Sequence, residues 1–414
     1  MCDTVLKQTM IDQQDDTENE FSKGIMAYWE DKLPAMLALL EEMVLIQSGS
    51  KNKNGVDKVG RVIGEQLRSI GLNFETHRNT ELGDHRIARS KGVADQRNLL
   101  LIGYMDTVFP QDTHFKWFRQ DAVKAYGPGV ADMKGGLVVG IFALKALAAV
   151  GLLRQLPLVF IFNSDEEIGS PSSAHIIAHE AQKAKASFVL ECAGLNGEVV
   201  TGRKGRMCYR LDVKGIAGHS AFAKQNKASA LLEIAHKVTA LESLNRLATG
   251  ITVNMGQLWG GTGPNTVPDH ATAFLDVRFT TNAEKKLFQR KLAKIMKSTQ
   301  VAGTHSSAVL QLQTPVMNRN KGIRDLFRLV SRAAKIFGRE VEEEFRPGCS
   351  DANLVAAQGT PVIDGLGPLG GHDHSDREFI IKKSLLDRAK LLALTLYFSK
   401  QPERPENGTP LRSR

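Results

Sequence analysis

The stretch NLLLIGYMDTVFP, Asn98 to Pro110, decides how the rest of the chain is interpreted. A run of four apolar residues ends in a glycine, and Tyr104, Met105 and Asp106 follow. An apolar run that ends in polar side chains is typical of a buried strand that delivers those side chains to the edge of a sheet. A histidine at position 104 would indicate half of a metal site, but the residue is a tyrosine.

Apolar strands alternate with helices on both sides of this stretch. After a Gly-rich loop come a helix in LVVGIFALKALAAVG (137–151), a strand in LPLVFIFNSDEE (156–167), a helix at 171–184 and a strand in SFVLECA (187–193). This order is typical of α/β proteins whose largely parallel sheet is covered by helices on both faces. In such sheets the chemistry gathers beyond the carboxyl ends of the strands.

From about Arg206 the pattern changes to alternating apolar and polar residues, as in MCYRLDVKG (207–215) and HATAFLDVRFTT (270–281). The alternation predicts half-exposed antiparallel strands, with two amphipathic helices between them, at 227–245 and 283–298. Further helices are predicted at 26–49, 56–70 and 322–337. The predicted segments are a catalytic domain (1–205 and 316–400), an inserted α+β lid and dimerisation domain (206–315) and a disordered tail (401–414).

Composition excludes several classes of protein. The chain has 414 residues, 42% of them hydrophobic, which favours a globular protein of two domains. The net charge of +9 comes without Lys/Arg blocks interleaved with aromatics, so we expect no nucleic acid; the charge indicates an acidic small substrate or has no special meaning. No window approaches the ~18 to 20 apolar residues of a membrane span. The N-terminus lacks an apolar signal core, so the expected location is cytoplasmic.

Strand ends and glycine-rich loops carry acidic or imidazole side chains at five places. They are Asp106, Asp132, the run Asp165–Glu167, Glu191, and the pair His372 and His374. Carboxylates that crowd together raise each other's pKa, and a divalent cation removes that cost. Carboxylate plus imidazole without thiolate suits zinc, with cobalt or manganese as substitutes.

Two further features have competing interpretations. In Glu166–Glu167 one carboxylate can bind a metal while its neighbour takes a proton from water, although acidic residues also favour a helix N-terminus. The four other groups of candidate ligands favour the catalytic interpretation. His175 and His179 have the helical spacing of a metal-binding pair but lack its glutamate, so we interpret them as surface or packing residues.

In these motifs the chain resembles the M20 metallopeptidases, and within them the glutamate carboxypeptidase (carboxypeptidase G2-like) branch. The resemblance extends over roughly residues 30–400. The matching segments are Gly103–Asp106, Gly127–Gly136, Asp165–Ser170, Glu191, Cys349–Asp351 and Gly370–Glu378. It implies a zinc aminopeptidase-like catalytic domain with a mixed, mostly parallel sheet, an inserted domain with an antiparallel sheet, and a homodimer.

The resemblance also implies roles for individual residues. Asp132 would bridge two zinc ions, Glu167 and His374 would complete one site, and Glu191 would complete the other. Glu166 would be the general base. The peptide bond after Asp132 is expected to be cis.

Three more roles are implied outside the metal ligands. Asp106 would orient the metal-bound histidine two residues before it. His219, which comes from the partner subunit in dimeric members, would stabilise the oxyanion. Asn265 and Arg278 would hold the substrate carboxylate; the competing interpretation of Arg278 is a structural salt bridge.

Tyr104 departs from the pattern because the family places a histidine ligand there. A phenol ligates only when a metal drives its deprotonation, since its pKa is near ~10. Three outcomes are open: tyrosinate binds the second metal, the second site is weak or empty, or the protein keeps only binding. We favour altered metal loading with hydrolysis retained, because the other catalytic positions are intact.

The sequence therefore predicts a zinc-dependent hydrolase that releases a C-terminal amino acid such as glutamate from a small peptide or N-acyl amino acid. An N-acyl-amino-acid deacylase is the nearest alternative, with the same mechanism. A catalytically impaired binding protein, in which Tyr104 has cost the second metal, is the alternative of another class.

Overall fold

The computed structural model of the protein describes residues 21–90, 97–222, 227–246 and 249–400. The predicted disordered tail, 401–414, lies outside these ranges. Across the described part of the chain, every helix is too short or too polar to span a bilayer.

Nine helices have defined bounds in this part of the chain, and residues 21–27 are helical as well. The helices are α1 (Leu33–Val44), α2 (Lys53–Arg68), α3 (Gly135–Ala149), α4 (Ala174–Lys183), α5 (Ala230–Glu242), α6 (Asn282–Lys297), α7 (Lys321–Lys335), α8 (Asp351–Ala356) and α9 (Lys382–Phe398). The helix predicted at 26–49 is the one wrong assignment among these: Pro34 lies in the first turn of α1, so a separate helix begins there.

The strands range from two to ten residues. They are β1 (Asn73–His77), β2 (His85–Arg89), β3 (Asn98–Tyr104), β4 (Arg119–Gln120), β5 (Lys124–Tyr126), β6 (Leu158–Asn163), β7 (Ala184–Val189), β8 (Val199–Arg203), β9 (Gly205–Lys214), β10 (Gly218–His219), β11 (Thr252–Gly260), β12 (Thr266–Val267), β13 (His270–Phe279), β14 (His305–Thr314), β15 (Glu343–Arg346), β16 (Val362–Ile363), β17 (Gly370–Gly371) and β18 (Phe379–Ile381).

A six-stranded sheet forms the centre of the molecule in the order β1-β2-β6-β3-β7-β16. β6, β3, β7 and β16 run parallel, and β1 and β2 add antiparallel pairings at one edge. β3 and β6 are buried almost throughout because helices cover the sheet. α3 packs with α1 and α9, while α4 packs with α8. The predicted α/β class with a mixed, mostly parallel sheet is confirmed.

A second sheet lies in the part of the chain that was predicted to be inserted. Its order is β11-β13-β9-β14, and all its pairings are antiparallel. Buried and more exposed residues alternate along β9, as the sequence pattern predicts. The buried side chains of this sheet form a hydrophobic core with α5 and α6, apart from the core of the first sheet. The domain boundaries at 205 and 315 stay a prediction.

Candidate metal centre and cleft

The parallel strands of the first sheet bring their carboxyl ends to one edge. β3 lies between β6 and β7, with Tyr104 at the end of β3 paired to Asn163 at the end of β6. Glu166 and Glu167 follow β6 by a few residues, and Glu191 follows β7. Side chains that are far apart in sequence therefore meet beyond this edge, as strand topology requires.

Asp132 comes from the Gly-rich loop that leads into α3. The Asp132–Met133 peptide bond is cis, as the resemblance implies. At Gly136 a Cβ atom would lie 1.9 Å from the carbonyl oxygen of Leu190, so only glycine permits this approach. The close contact places the start of α3, and with it Asp132, against the end of β7.

Glu378 holds this loop from the C-terminal part of the chain. Its buried carboxylate accepts hydrogen bonds from the backbone N–H groups of Gly129 (2.9 Å), Ala131 (2.8 Å) and Asp132 (3.0 Å). The loop between β17 and β18 that carries His374 leads directly into Glu378. One short segment thus provides an imidazole and also orients the loop that provides Asp132.

Three of the predicted metal ligands form one cluster. His374 Nε2 lies 3.1 Å from Asp132 Oδ2 and 3.5 Å from Glu167 Oε2. Candidate ligand atoms of all three residues lie within 4.8 Å of one another. Glu167 Oε1 is buried and has no hydrogen-bond partner among the described residues. An unpaired buried carboxylate oxygen beside an imidazole and a second carboxylate fits a divalent cation such as zinc.

Burial and crowding shift the pKa values of the side chains in and beside the cluster. Burial and the nearby Asp132 raise the pKa of Glu167 to about 8. Burial and the carboxylates of Asp351 and Glu191 hold the pKa of Glu166 well above its ordinary value. Hydrogen bonds to Asp132 and Glu167 raise the pKa of His374 to about 11. A bound cation would replace protons as the counter-charge of this cluster.

Tyr104 lies between Asp132 and Glu191, the fourth predicted ligand. Its hydroxyl hydrogen-bonds to Asp132 Oδ1 and lies 3.1 Å from Glu191 Oε1. The side chain is buried, and burial together with Asp132 and Glu191 raises the pKa of its phenol well above the ordinary value. Asp132 and Glu191 therefore approach the same phenolic oxygen, which lies against both carboxylates.

Asp106 is fully buried and contacts two separate segments of the chain, one at Ser50 and one at Glu166 and Glu167. It accepts a hydrogen bond from Ser50 Oγ at 2.7 Å and from the backbone N–H groups of Glu166 and Glu167 at 3.3 Å each. Burial raises its pKa to about 7 despite the bond from Ser50. The contacts of Asp106 thus position the segment of Glu166 and Glu167.

The metal cluster, Tyr104, Glu166 and Glu191 line a cleft of about 390 Å³. Arginines line it too: Arg203, Arg206, Arg278 and Arg346. Arg206 and Arg278 share one partner, because Arg206 Nε binds Asp276 Oδ2 and Arg278 Nε binds Asp276 Oδ1. Arg278 therefore forms the salt bridge of the competing interpretation and also faces the cleft. Two guanidinium groups on one carboxylate leave a net positive charge on this side of the cleft, which we call the cationic wall.

His219 and Asn265 lie away from the cleft within one chain. Both are exposed: His219 ends β10, and Asn265 directly precedes β12, its partner strand. Next to this pairing, Ser220 N–H donates to the carbonyl of Asn265 at 2.9 Å. The structure thus brings together Asp106, Asp132, Glu166, Glu167, Glu191, His374 and Arg278. His219 and Asn265 do not line the cleft of their own chain.

Several residues of the site escaped sequence reasoning. Ser50 is a buried partner that appears only in the fold. Asp351 ends the matching segment Cys349–Asp351, but its contacts were not predicted: it accepts from Ser170 Oγ (2.6 Å) and Asn163 Nδ2 (2.9 Å). Arg206 had a usable signal, because it lies on the same strand pairing as Arg278. The role of Glu378 as the acceptor for the loop had no local signal, because its partners lie more than 240 residues away.

An acidic and imidazole cluster of this kind, beyond the carboxyl edge of a mostly parallel sheet and facing a cleft, defines the class of metal-dependent hydrolases. A model of peptidase family M20/M25/M40 matches residues 100–397. The chain belongs to this family, whose members depend on metal ions, and it is a hydrolase of amide bonds.

Known relatives agree on the family and differ in activity. The chain is 29% identical over 374 residues to carboxypeptidase G2 of Pseudomonas sp. (strain RS-16), covering 88% of this chain and 89% of the relative. It is 26% identical to succinyl-diaminopimelate desuccinylase of Burkholderia ambifaria (strain MC40-6), covering 84% and 94%. The crystal structure of aminopeptidase PepT from Bacillus cereus ATCC 10987 shares the fold, with a TM-score of 0.71, 22% identity and coverage of 88% and 98%.

Proposed function

We propose that the protein is a carboxypeptidase that hydrolyses an amide bond and releases a C-terminal amino acid, glutamate or a similar acidic residue. One observation carries the proposal: the same cleft holds the Asp132, Glu167 and His374 cluster, the neighbouring Glu166, and the cationic wall of Arg206 and Arg278. A hydrolytic centre beside a cationic wall suits an amide whose leaving group bears carboxylates.

Asp132, Glu167 and His374 would hold the metal ion, zinc or in its place cobalt or manganese. The ion would polarise the scissile carbonyl and lower the pKa of a bound water. Glu166 would take the proton of the attacking water and deliver it to the leaving amine. Burial and the nearby carboxylates raise the pKa of Glu166, and a carboxyl group with a raised pKa takes up the proton of the water more readily before it delivers that proton to the amine.

The choice of an acidic leaving group rests on charge. Asp276 neutralises only one of the two guanidinium groups beside it. Arg278 would bind the α-carboxylate of the released amino acid, and the surplus charge would favour a second carboxylate on its side chain. The 29% identity to carboxypeptidase G2 supports this assignment.

An N-acyl-amino-acid deacylase is the second candidate. The similarity to a succinyl-diaminopimelate desuccinylase favours it, because a succinyl group carries a free carboxylate that the same arginines would bind. The chemistry at Glu166 would be unchanged, and only the side of the amide that carries the anion would differ.

A homodimer is part of the proposal, because His219 and Asn265 lie outside the cleft of their own chain. A partner subunit that presented them to this cleft would supply an oxyanion donor and a further substrate contact. The exposed Leu258 and Trp259 on the edge strand β11 support association through the inserted sheet.

A substrate panel tests the activity. The metal-loaded protein would be incubated with N-acyl-glutamate, N-acyl-leucine, a glutamyl dipeptide and N-succinyl-lysine, and the released amine would be quantified. We expect fastest release of glutamate, loss of activity with a chelator, and a fall of about 10²- to 10⁴-fold in Glu166→Gln with metal binding retained. Fastest cleavage of the succinyl substrate would favour the deacylase, and no turnover of any substrate would favour the binding protein.

A further inference from the structure

The two carboxylate oxygens of Asp132 face different groups. Oδ2 faces His374 at 3.1 Å, within the cluster that fits a metal ion. Oδ1 faces the hydroxyl of Tyr104. A carboxylate that bridged two metal ions would place the second ion on the Oδ1 side, and the phenolic oxygen lies there.

Glu191 is the second carboxylate beside the Tyr104 hydroxyl. The hydroxyl that contacts Asp132 Oδ1 also lies 3.1 Å from Glu191 Oε1. A metal ion bound by both carboxylates would have to lie ~2.0–2.2 Å from an oxygen of each. One hydroxyl and one ion therefore compete for the same two oxygens and for the space between them.

The phenol cannot easily move aside. Tyr104 ends a buried strand that pairs with β6 up to this residue, and its side chain is only 2% exposed. Its backbone N–H contacts Met133 Sδ at 3.3 Å, and a Cβ at Gly103 would lie 2.6 Å from Leu137. The strand therefore fixes the Cα and Cβ atoms of Tyr104, and close packing leaves little room for a different ring position.

We propose that the Tyr104 hydroxyl takes the place of a second metal ion, so that each chain binds one ion, at Asp132, Glu167 and His374. The Tyr104 hydroxyl lies against both Asp132 and Glu191 and shares its one proton between them, where a second ion would link them by coordination. Glu191 is then a hydrogen-bond acceptor that supports Tyr104 and not a metal ligand. The inference rests on the proposed metal centre and is independent of the substrate.

Metal stoichiometry tests the inference. Metal-free protein prepared with a chelator would be titrated with Zn²⁺ or Co²⁺ by calorimetry, and the bound metal measured by elemental analysis after desalting. We expect one ion per chain in the native protein, two in Tyr104→His and one in Tyr104→Phe. The phenylalanine variant is the matched control: it removes the hydroxyl but adds no ligand atom, so Asp132 and Glu191 remain two protein ligands where a zinc site normally has at least three.

Adventitious binding and misfolding have their own controls. The exposed His175 and His179 on α4 are a possible surface site, so the titration is repeated with His175→Ala, which should leave the native count at one. Circular dichroism and thermal unfolding show whether Tyr104→His folds, and the native count decides the inference even if that variant does not.

Each remaining outcome is decisive. Two tightly bound ions in the native protein, with the near-ultraviolet absorbance of a tyrosinate, would overturn the inference and make Tyr104 a ligand. A single ion in well-folded Tyr104→His would show that Tyr104 does not exclude the second ion. No bound ion in the native protein would overturn the metal centre and the proposed function with it, whereas a single ion without turnover would overturn only the function.

Discussion

At the scale of single residues, the exchange of histidine for tyrosine at position 104 changes what its neighbours do. Asp106 would orient a histidine ligand in relatives that have one, but here it accepts from Ser50 and from the backbone of Glu166 and Glu167. Its contacts therefore hold the segment that carries Glu166, the proposed base. The acid keeps a positioning role although the residue two positions earlier is a tyrosine.

Arg278 gives the prediction at this scale. Replacing Arg278 with Gln should lower kcat/KM for substrates that end in an acidic residue by roughly 10- to 100-fold, since hydrogen bonds to charged groups contribute about 1.5–3 kcal/mol. Arg278→Lys should recover only part of this loss, because lysine lacks the fork of two parallel donors. Steady-state kinetics on N-acyl-glutamate provide the measurement.

The control for this variant is Arg319→Gln, which removes an arginine that is paired to Glu343 and does not line the cleft. It should leave kcat/KM unchanged. An equal loss in both variants, or no loss in Arg278→Gln, would remove Arg278 from substrate binding.

At the scale of elements, the Gly-rich loop at 127–136 depends on a residue from the other end of the chain. Three backbone N–H groups of the loop donate to the Glu378 carboxylate, which is buried beside Asp132. Burial and Asp132 raise the pKa of Glu378 to about 8. The loop position that presents Asp132 to the metal is thus set by tertiary hydrogen bonds and not by the loop alone.

Replacing Glu378 with Gln should therefore weaken metal binding without touching a ligand. The amide keeps one acceptor oxygen and turns an N–H₂ group toward a backbone donor, which leaves at least one buried N–H unpaired. We expect a decrease of about 10- to 100-fold in metal affinity, the size typical for residues that orient ligands. Calorimetric titration of the metal-free protein measures it.

Asp376→Asn is the control for Glu378→Gln, because it changes an exposed acid in the same loop. Its metal affinity should match that of the native protein. If Glu378→Gln binds metal normally while folded, the loop does not need this carboxylate.

At the scale of the whole molecule, one chain does not assemble every residue that the sequence assigns to the site. His219 and Asn265 lie on an exposed pairing outside the cleft. The proposed dimer resolves this, because a two-fold interface would give each cleft the residues of the other chain.

A mixing experiment tests whether His219 acts across subunits. Glu166→Gln and His219→Ala should each be nearly inactive, the second by about 10²- to 10³-fold as for a lost oxyanion donor. Dimers that contain one chain of each variant should regain one complete cleft, in the His219→Ala chain, so random mixing should restore about a quarter of the native rate.

Two results would contradict the dimer. Absence of recovery after unfolding and co-refolding the two variants would show that His219 acts within its own chain or not at all. A single monomeric species in sedimentation analysis of the active protein would exclude the shared site directly.

Local sequence patterns were enough to predict the α/β class, the antiparallel character of the second sheet and the set of acidic and imidazole residues. Each of these depends on local patterns: apolar runs for buried strands, alternation for half-exposed ones, and polar residues at strand ends. The helix at 26–49 was the failure, because the apolar spacing continued across Pro34.

Which of those residues contact one another depends on the tertiary fold. Strand order placed Tyr104 between Asp132 and Glu191, and one carboxylate, Asp276, came to be shared by Arg206 and Arg278. Arg278 and Asp276 are neighbours on one strand, but the other contacts join residues 28 to 87 positions apart, so no local pattern carries them. The proposed count of one metal ion rests on the space between two carboxylates, which exists only once the strands are packed side by side.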